Sequence, residues 1–361
     1  MSERCIVVGG GVAGLLSARR LSAEGFDVIL MDRSRIGCES SWAAGGILSP
    51  LQPWRSPEAV AALHEWSAQR FLSFADELKR ETNIDPECMR SGMLILDVTD
   101  ASPALQWGKQ RCIPIERMPA GDILRREPLL ARIGGEALWL PQTAQIRPPR
   151  LIKALSKSIK LRGVRCEENT EVASIRIEKG RAAGVEANRK FWGADLVLIT
   201  SGAWSGALLK SLNIDNDIQP VRGQMILFKA EPNNLLSVAQ CGDRYLIPRR
   251  DGRILAGSTV EYAGFDKRNT REGVASLHES AVRMLPFLRE CEIECQWAGL
   301  RPGKKDGVPM IGPHPSVQGL FMNTGHFRNG MALSLASVHV LVSSILGQTP
   351  DLDPHPYLPD L

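Results

Sequence analysis

The segment from Cys5 to Arg33, CIVVGGGVAGLLSARRLSAEGFDVILMDR, constrains the fold more than any other part of the chain. Its first apolar residues, Cys5 to Val8, predict a strand that is buried on both faces, because parallel strands covered by helices show continuous hydrophobicity. Glycines follow this strand, and an apolar stripe at helical spacing begins at Leu15. A second strand is predicted at Val28 to Met31. The order strand, glycine turn, helix, strand indicates a parallel α/β unit.

The glycines of this unit have the spacing G-x-G-x-x-G, at Gly9, Gly11 and Gly14. Gly9 permits the tight turn, Gly11 leaves room for a pyrophosphate, and Gly14 lets the helix pack closely on the strand. The phosphates would then lie at a helix N-terminus. Asp32 would accept hydrogen bonds from the ribose, which favours NAD or FAD over NADP. The alternative is a glycine-rich turn without a ligand, but the whole unit together favours a dinucleotide.

Composition limits the class of protein. At 361 residues the chain is long enough for two domains, and its net charge of +4 comes from interspersed acids and bases. No nucleic-acid platform is therefore expected, and a small substrate is favoured over a polymer. The eight cysteines lack C-x-x-C or paired Cys/His spacing. This pattern is typical of reduced thiols in a cytoplasmic protein and predicts neither disulfides nor a metal site.

Two stretches of the chain are apolar enough to be compared with membrane or export signals. The N-terminal one is interrupted by glycines and followed by Arg19 and Arg20, which excludes a signal peptide. Gly330 to Gly347 has no formal charge over nearly the length of a spanning helix. It contains several serines and His339, and it follows a strand-like run. We therefore expect a last helix buried against the sheet, and no integral membrane segment.

The remaining elements follow in order. Pro57 to Thr82 predicts one long amphipathic helix, and a hairpin is expected around Lys179-Gly180. Leu196 to Thr200 is a second buried strand that ends in a glycine-serine turn. Four strand-like runs between Gln219 and Trp297, with a turn at Asp251-Gly252, predict an antiparallel sheet.

The predicted fold class is α/β, with a doubly wound, Rossmann-like nucleotide domain interleaved with an α+β substrate domain on an antiparallel sheet. The nucleotide-binding domain is expected to be discontinuous, over residues 1–85, 147–217 and 300–361. The substrate-binding domain is expected over residues 86–146 and 218–299.

Several strings spread over almost the whole chain occur in the order of one known family. They are GGGVAG followed by Asp32-Arg33, SSWAAGGIL, QIRPPRL, PVRGQM, YLIPRRDGRILAGST, WAGLRPGKKDGVPMIG and GHFRNGMALS. Together they resemble the D-amino-acid oxidase family of FAD-dependent amine oxidases, and most closely its branch that oxidises glycine.

The resemblance implies an FAD cofactor and the positions that contact it. These are Val12 and Ala13 at the pyrophosphate, Asp32 and Arg33 at the ribose and adenine, Ser40 and Ser41 at the phosphates, Gly45, Gly46 and Ile47 at the isoalloxazine, Val172 at the adenine, and His326, Phe327, Arg328, Asn329, Gly330, Met331 and Ala332 at the pyrimidine end. Close relatives often have Glu and two Thr where this chain has Asp32 and Ser40-Ser41, and both changes keep the acceptor or hydroxyl. The sarcosine oxidase branch attaches its flavin through a Cys near Gly299. This chain has none there, which implies non-covalent FAD.

For the substrate, the resemblance points to Tyr245, Arg301 and Arg328. A guanidinium suits an amino-acid carboxylate because it donates two parallel hydrogen bonds, and a neighbouring phenol fixes the plane of the carboxylate. The alternative for Tyr245 is a strand residue that packs on the sheet.

The implied reaction is the oxidative deamination of glycine and other small amino acids or amines. A hydride passes from the substrate Cα to flavin N5, and the imine hydrolyses to glyoxylate or a keto acid plus ammonia. Molecular oxygen reoxidises the flavin and yields hydrogen peroxide. No protein acid or base is assigned, because the flavin performs the chemistry. The imine could also supply thiamine thiazole synthesis.

Two other functions stay open at this level. One is a D-amino-acid dehydrogenase that passes electrons to a quinone or another non-oxygen acceptor. The other is a flavin-binding regulatory subunit without turnover. A homo-oligomer is compatible with the sequence.

Overall fold

The computed structural model describes residues 2–131 and 136–359. Its strands are β1 (Arg4–Val8), β2 (Asp27–Met31), β3 (Met89–Arg90), β4 (Met93–Leu96), β5 (Glu116–Pro119), β6 (Glu136–Leu140), β7 (Ala144–Gln145), β8 (Arg165–Glu167), β9 (Val172–Glu178), β10 (Arg181–Ala187), β11 (Lys190–Gly193), β12 (Leu196–Ile199), β13 (Gln219–Phe228), β14 (Val238–Cys241), β15 (Arg244–Pro248), β16 (Ile254–Gly257), β17 (Ile293–Gly303), β18 (Met310–Pro313) and β19 (Leu320–Thr324). Its α-helices are α1 (Val12–Ala23), α2 (Ser40–Ala43), α3 (Glu58–Ala68), α4 (Phe71–Thr82), α5 (Ser102–Gln110), α6 (Ala120–Arg126), α7 (Pro148–Leu161), α8 (Ser205–Lys210), α9 (Arg271–Met284) and α10 (Gly330–Ile345).

The nucleotide-type unit folds as predicted. β1 pairs in parallel with β2 on one side and with β12 on the other, within a sheet of order β18-β19-β12-β1-β2-β8. The two predicted strands that end in glycine turns, β1 and β12, therefore lie side by side, which is the arrangement of a doubly wound domain. Helices α1, α7 and α10 pack against this sheet, and their buried side chains form one hydrophobic core with it.

The predicted antiparallel sheet is also confirmed. Its eight strands have the order β17-β13-β16-β15-β14-β4-β6-β5, and every pair is antiparallel except β14 with β4. The long pair β13 and β17 has Val221 opposite Arg301 and Gly223 opposite Gly299. Because β17 continues to Gly303, the predicted boundary between residues 299 and 300 falls inside a strand. The division into domains otherwise stays a prediction, and residues 1, 132–135 and 360–361 of those ranges lie outside the described residues.

One helix prediction was wrong. The segment from Pro57 to Thr82 is two helices, α3 and α4, which meet at Gln69 and Arg70. The Arg70 guanidinium turns back over the Trp66 ring, 3.8 Å from its centroid, and donates to the Trp66 carbonyl oxygen. Such local contacts at the break do not alter the apolar periodicity, so the pattern alone could not reveal it.

The uncharged C-terminal stretch forms the buried helix α10, as predicted. Its residues are apolar almost all round, and most are buried against α1, α3 and β18. A helix that is hydrophobic on every face belongs in the interior. In the described part of the chain, no helix combines the length and the apolar character needed to cross a bilayer.

The hairpin around Lys179-Gly180 is confirmed. β9 and β10 pair in antiparallel fashion, and both turn residues have positive φ, +49° and +76°. These values suit the tight turns that match the twist of a two-stranded ribbon.

Candidate functional site

A cavity of about 1100 Å³ extends from the glycine turn after β1 to the antiparallel sheet. This volume is slightly above the roughly 300–1,000 Å³ typical of small-molecule sites, which fits a ligand as large as a dinucleotide. Of the predicted site residues, those that line the cavity are Gly9, Gly11, Val12, Ala13, Asp32, Arg33, Ser40, Ser41, Gly45, Gly46, Ile47, Val172, Tyr245, Arg301, His326, Phe327, Arg328, Asn329, Gly330 and Met331. Gly14 and Ala332 lie just behind this wall, in helices α1 and α10.

The glycine turn is packed too tightly for side chains. Gly9 has a φ of +111°, and a Cβ on it would lie 2.6 Å from the Thr200 carbonyl oxygen. A Cβ on Gly14 would lie 1.9 Å from the Gly9 carbonyl oxygen. On Gly11 a Cβ would come only as near as 3.1 Å, to the Ser41 hydroxyl. Gly9 and Gly14 are thus required by the protein's own packing, while Gly11 leaves open space on the cavity side.

Asp32 and Ser41 hold this turn in place. One carboxylate oxygen of Asp32 accepts from the Gly10 amide at 2.8 Å, and the other accepts from the Ser34 amide at 2.8 Å. The Ser41 hydroxyl accepts from the Val12 amide at 2.8 Å, at the start of α1. Both residues were predicted as cofactor contacts. The structure adds that they fix the backbone that would face the phosphates, and both side chains keep acceptor capacity for a ligand.

Arg33 lines the cavity beside the glycine turn. Its guanidinium sits 4.8 Å from the Trp204 ring centroid, and Trp204 stacks in turn on Phe265 at 5.5 Å. A cation over an aromatic face is held without losing its charge. Trp204 also lines the cavity but was not predicted from the sequence.

The loop at Gly45 to Ile47, predicted to line the isoalloxazine, is held in place by hydrogen bonds from Arg249 and Ile146. Arg249 donates to the Gly45 carbonyl oxygen at 2.6 Å and to the Gln145 side chain at 3.0 Å. Burial lowers the pKa of Arg249 to about 10, so it remains a cation at neutral pH. The Gly46 carbonyl oxygen accepts from the Ile146 amide at 2.8 Å. The loop is therefore fixed rather than free.

Arg301 extends from β17 into the end of the cavity that is formed by the antiparallel sheet. Its guanidinium donates to the Ser258 hydroxyl at 2.7 Å and to the carbonyl oxygens of Thr259 and Arg222 at 3.1 and 3.4 Å. All three acceptors are uncharged. Among the described residues, no carboxylate lies within 4.0 Å of Arg301. Burial lowers its pKa, and the nearby charge of Arg328 adds to that lowering. A partly buried cation without a carboxylate partner is suited to pair with an anionic ligand.

Tyr245 and Arg328 lie at the same end. Tyr245 is buried on β15, and its hydroxyl points at the Met225 sulfur, 3.6 Å away. A Cβ on Gly45 would lie 3.3 Å from the Tyr245 hydroxyl, so the phenol borders the predicted isoalloxazine loop. Arg328 differs from Arg301 because it already has a charged partner, the Asp243 carboxylate at 3.0 Å. The structure therefore brings together the three residues predicted to bind substrate. Of the two arginines, Arg328 is paired with a carboxylate and Arg301 donates only to uncharged oxygens.

Some buried polar atoms of the cavity wall have no partner among the described residues. His326 Nε2 and Arg328 Nη2 are two of them, and Asn323 Oδ1 is a third. Burial lowers the pKa of His326 to about 4, so its imidazole is neutral at pH 7. Unpaired buried polar atoms are costly unless a ligand satisfies them. Together with the glycine cradle, they fit a polar cofactor such as FAD.

Sequence reasoning missed several residues of this end. Ser258 holds Arg301, and Gly223 lies under its guanidinium, where a Cβ would be 2.2 Å from Nη2. The resemblance included the strings PVRGQM and RILAGST but assigned no role to Gly223 or Ser258. These two residues meet Arg301 only because β13 pairs with both β16 and β17.

Comparisons with known proteins agree with this geometry. The chain is 43% identical over 360 residues to a glycine oxidase of Pseudomonas aeruginosa, covering 99% of both chains. It is 41% identical over 361 residues to a glycine oxidase of Pseudomonas putida, covering 100% of this chain and 99% of the relative. The crystal structure of glycine oxidase from Geobacillus kaustophilus superposes with a TM-score of 0.93 at 27% identity, over 99% of this chain and 98% of that one. Residues 4–343 match the family model described as FAD dependent oxidoreductase. The chain therefore belongs to the family of FAD-dependent oxidoreductases.

Proposed function

We propose that this enzyme oxidises glycine and other small amino acids or amines, with FAD bound non-covalently in the cavity. The observation that carries the proposal is the Arg301 guanidinium, which faces the cavity with only uncharged hydrogen-bond partners. The planar fork of a guanidinium matches the geometry of an amino-acid carboxylate, to which it can donate two parallel hydrogen bonds. The relatives with over 40% identity are named glycine oxidases, which supports a substrate of this class.

The residues around Arg301 favour a small substrate. A Cβ on Gly257 would lie 2.4 Å from the Met225 sulfur, and one on Gly223 would overlap the Arg301 guanidinium. A side chain at either glycine would displace Met225 or Arg301 and so change the space beside Arg301. Tyr245 lies between Arg301 and the Gly45 loop and offers a hydroxyl to the carboxylate. These residues would fix the substrate's carboxylate end and so limit where its Cα can lie.

FAD, when bound, supplies the oxidation by accepting a hydride from the substrate Cα. The protein contributes position and charge. Two neighbouring arginines, Arg301 and Arg328, oppose a further positive charge and would lower the pKa of the substrate amine, which must be neutral to react. No protein acid or base is needed in this scheme, and neutral His326 is a wall residue of the cavity.

The cofactor contacts are proposed in the same way. We assign the pyrophosphate to Gly11, Val12 and Ala13, the ribose and adenine to Asp32 and Arg33, and the ring system to the Gly45 loop and the turn from His326 to Met331. The support is that these residues line one continuous cavity.

The dehydrogenase alternative is not favoured, because the two relatives at 41% and 43% identity are named as oxidases. An oxygen-electrode assay with glycine and D-alanine, with and without an artificial electron acceptor, separates the two functions. Oxygen uptake with stoichiometric peroxide supports the oxidase. Turnover that requires the added acceptor would support the dehydrogenase.

The most direct test is anaerobic addition of glycine to the purified yellow protein. We expect the visible flavin absorbance to bleach and to return when oxygen is admitted, with glyoxylate and ammonia as products. An absorbance that stays unchanged with glycine, sarcosine, D-alanine and D-proline would overturn the proposal and favour a flavin-binding subunit without turnover.

The proposal also covers the location of the enzyme and the pathway that uses its product. We propose a cytoplasmic enzyme whose glycine imine product can supply thiamine thiazole synthesis. The scattered free cysteines support the first part. Rescue of a thiazole-requiring strain by this gene, compared with an Arg301→Ala copy, tests the second. Failure of the intact gene to rescue would remove the pathway role and leave the reaction untouched.

A further inference from the structure

The two arginines at the substrate end of the cavity are not equivalent. Arg301 donates only to uncharged oxygens, whereas Arg328 Nη1 is 3.0 Å from the Asp243 carboxylate. The two guanidinium groups are close enough for the charge of Arg328 to lower the pKa of Arg301. The cavity therefore offers one cation that has no carboxylate partner among the described residues and, beside it, one that is ion-paired with an acid of the protein.

Asp243 is placed at the outer side of this pair. It lies in the turn between β14 and β15, and it lines the cavity together with Gly242. Its side chain is 78% exposed, while that of Arg328 is 25% exposed and keeps Nη2 buried without a partner in the described structure. The Asp243 carboxylate thus faces whatever part of a substrate extends outward from Arg301.

We propose that Asp243 is a specificity-determining residue that restricts the site to substrates with a single carboxylate. The inference rests on the proposed function, and it adds which members of the substrate class are excluded. Asp243 acts in two ways: it occupies Arg328, and its negative charge repels a second anionic group. An exposed ion pair of this kind contributes little stability, whereas a like charge beside a binding site discriminates against a ligand with one more anionic group.

Removal of the charge should expose a second anion subsite at Arg328. We would compare iminodiacetate with its monoamide, because these N-substituted glycines have nearly the same shape and differ by one carboxylate. In Asp243→Asn, the ratio of kcat/KM for iminodiacetate to that for the monoamide should rise at least about tenfold over wild type, since a repulsion becomes an attraction. A ratio that stays the same would overturn the proposal.

Two controls isolate the charge. Asp243→Glu keeps the carboxylate and should retain the low wild-type ratio. Asp122→Asn removes another exposed, ion-paired aspartate that does not line the cavity, and it should leave the ratio unchanged. A rise in either control would show that the effect is not specific to the charge at position 243.

A binding measurement separates this proposal from the proposed function. Malonate and acetate differ by one carboxylate and cannot be deaminated, and their binding can be followed by the change in flavin absorbance. In Asp243→Asn, malonate should gain at least about tenfold in affinity relative to acetate. If that gain occurs but wild type does not oxidise glycine, the anion subsite stands and the function falls. If glycine is oxidised but neither ratio changes, Asp243 has no such role.

Discussion

The two ends of the cavity are built in different ways. At the proposed nucleotide end, one continuous segment of about thirty residues supplies the strand, the glycine turn, the helix and Asp32, whose carboxylate holds the turn through the Gly10 amide. At the substrate end, side chains from β15, from β17 and from the chain just after β16 converge, although Tyr245 and Arg301 are far apart in sequence. The first end depends on local geometry, and the second depends on strand register. Changes at the first should remove the cofactor, whereas changes at the second should leave it bound.

The largest effect is expected at Gly14. In Gly14→Ala the added Cβ would lie 1.9 Å from the Gly9 carbonyl oxygen and 2.8 Å from the Thr200 hydroxyl, so α1 must move away from β1. We expect loss of bound FAD and a large drop in soluble yield, measured by the ratio of visible to ultraviolet absorbance.

Gly121→Ala is the matched control for this variant. Gly121 is also helical, but a Cβ on it would meet nothing within 4 Å, so FAD content should not change. If Gly14→Ala bound FAD as wild type does, the account of the nucleotide end as a tightly packed backbone cradle would be wrong.

The next effect should fall on the substrate end alone. Arg301→Ala removes a charged contact to the substrate carboxylate, which should cost about 3 kcal/mol or more of transition-state binding, or about 100-fold in kcat/KM. The protein should stay yellow, because Arg301 lies away from the glycine turn. We would measure peroxide production from glycine alongside FAD content. An intact kcat/KM would mean that another group binds the carboxylate, and loss of FAD would mean that the two ends are not independent.

Acid should lower the free energy of unfolding through His64, which is buried close to the Gly45 loop. Burial lowers the pKa of His64 to about 4, and its Nε2 bonds to the Leu48 carbonyl oxygen beside the cavity loop. Below its ordinary pKa of 6.5 the unfolded chain binds a proton that the folded one does not. Stability is therefore complete above about pH 6.5 and is lost as the pH falls toward 4, by about 2 kcal/mol at pH 5 for this one group.

The variant His64→Gln tests this pH dependence, because an amide can still donate to Leu48 but does not titrate. We expect the difference in unfolding free energy between pH 7 and pH 5, from urea titration of the holoprotein, to shrink by about 2 kcal/mol. His326, whose pKa is also lowered to about 4, would continue to contribute. An unchanged difference would show that His64 has an ordinary pKa in the folded protein.

The contrast between the two ends also decides what the sequence could predict. β1, α1 and β2 follow from periodicity and glycine spacing because their contacts lie within one short segment. Tyr245 and Arg301 were reached through resemblance to a family, not through any local pattern.

Ser258 and Asp243 were missed for the same physical reason. Their partners are Arg301 and Arg328, 43 and 85 positions away in sequence. A hydrogen bond between such residues depends on which strands are neighbours, and apolar periodicity carries no information about that.

The smallest effect is expected for Ser258→Ala, at the end of the cavity that depends on strand register. Ser258→Ala removes the acceptor that lies 2.7 Å from Arg301 Nη2 but leaves the two carbonyl contacts of Nη1. Loss of one hydrogen bond that orients the guanidinium should cost about 1 kcal/mol. We expect KM for glycine to rise about fivefold, with kcat and FAD content nearly unchanged. Ser237→Ala is the control, since Ser237 accepts from Arg126 beside the same sheet and neither residue lines the cavity. An equal rise in KM in both variants would mean that a general loss of rigidity in the sheet, rather than the orientation of the Arg301 guanidinium, determines the affinity for substrate.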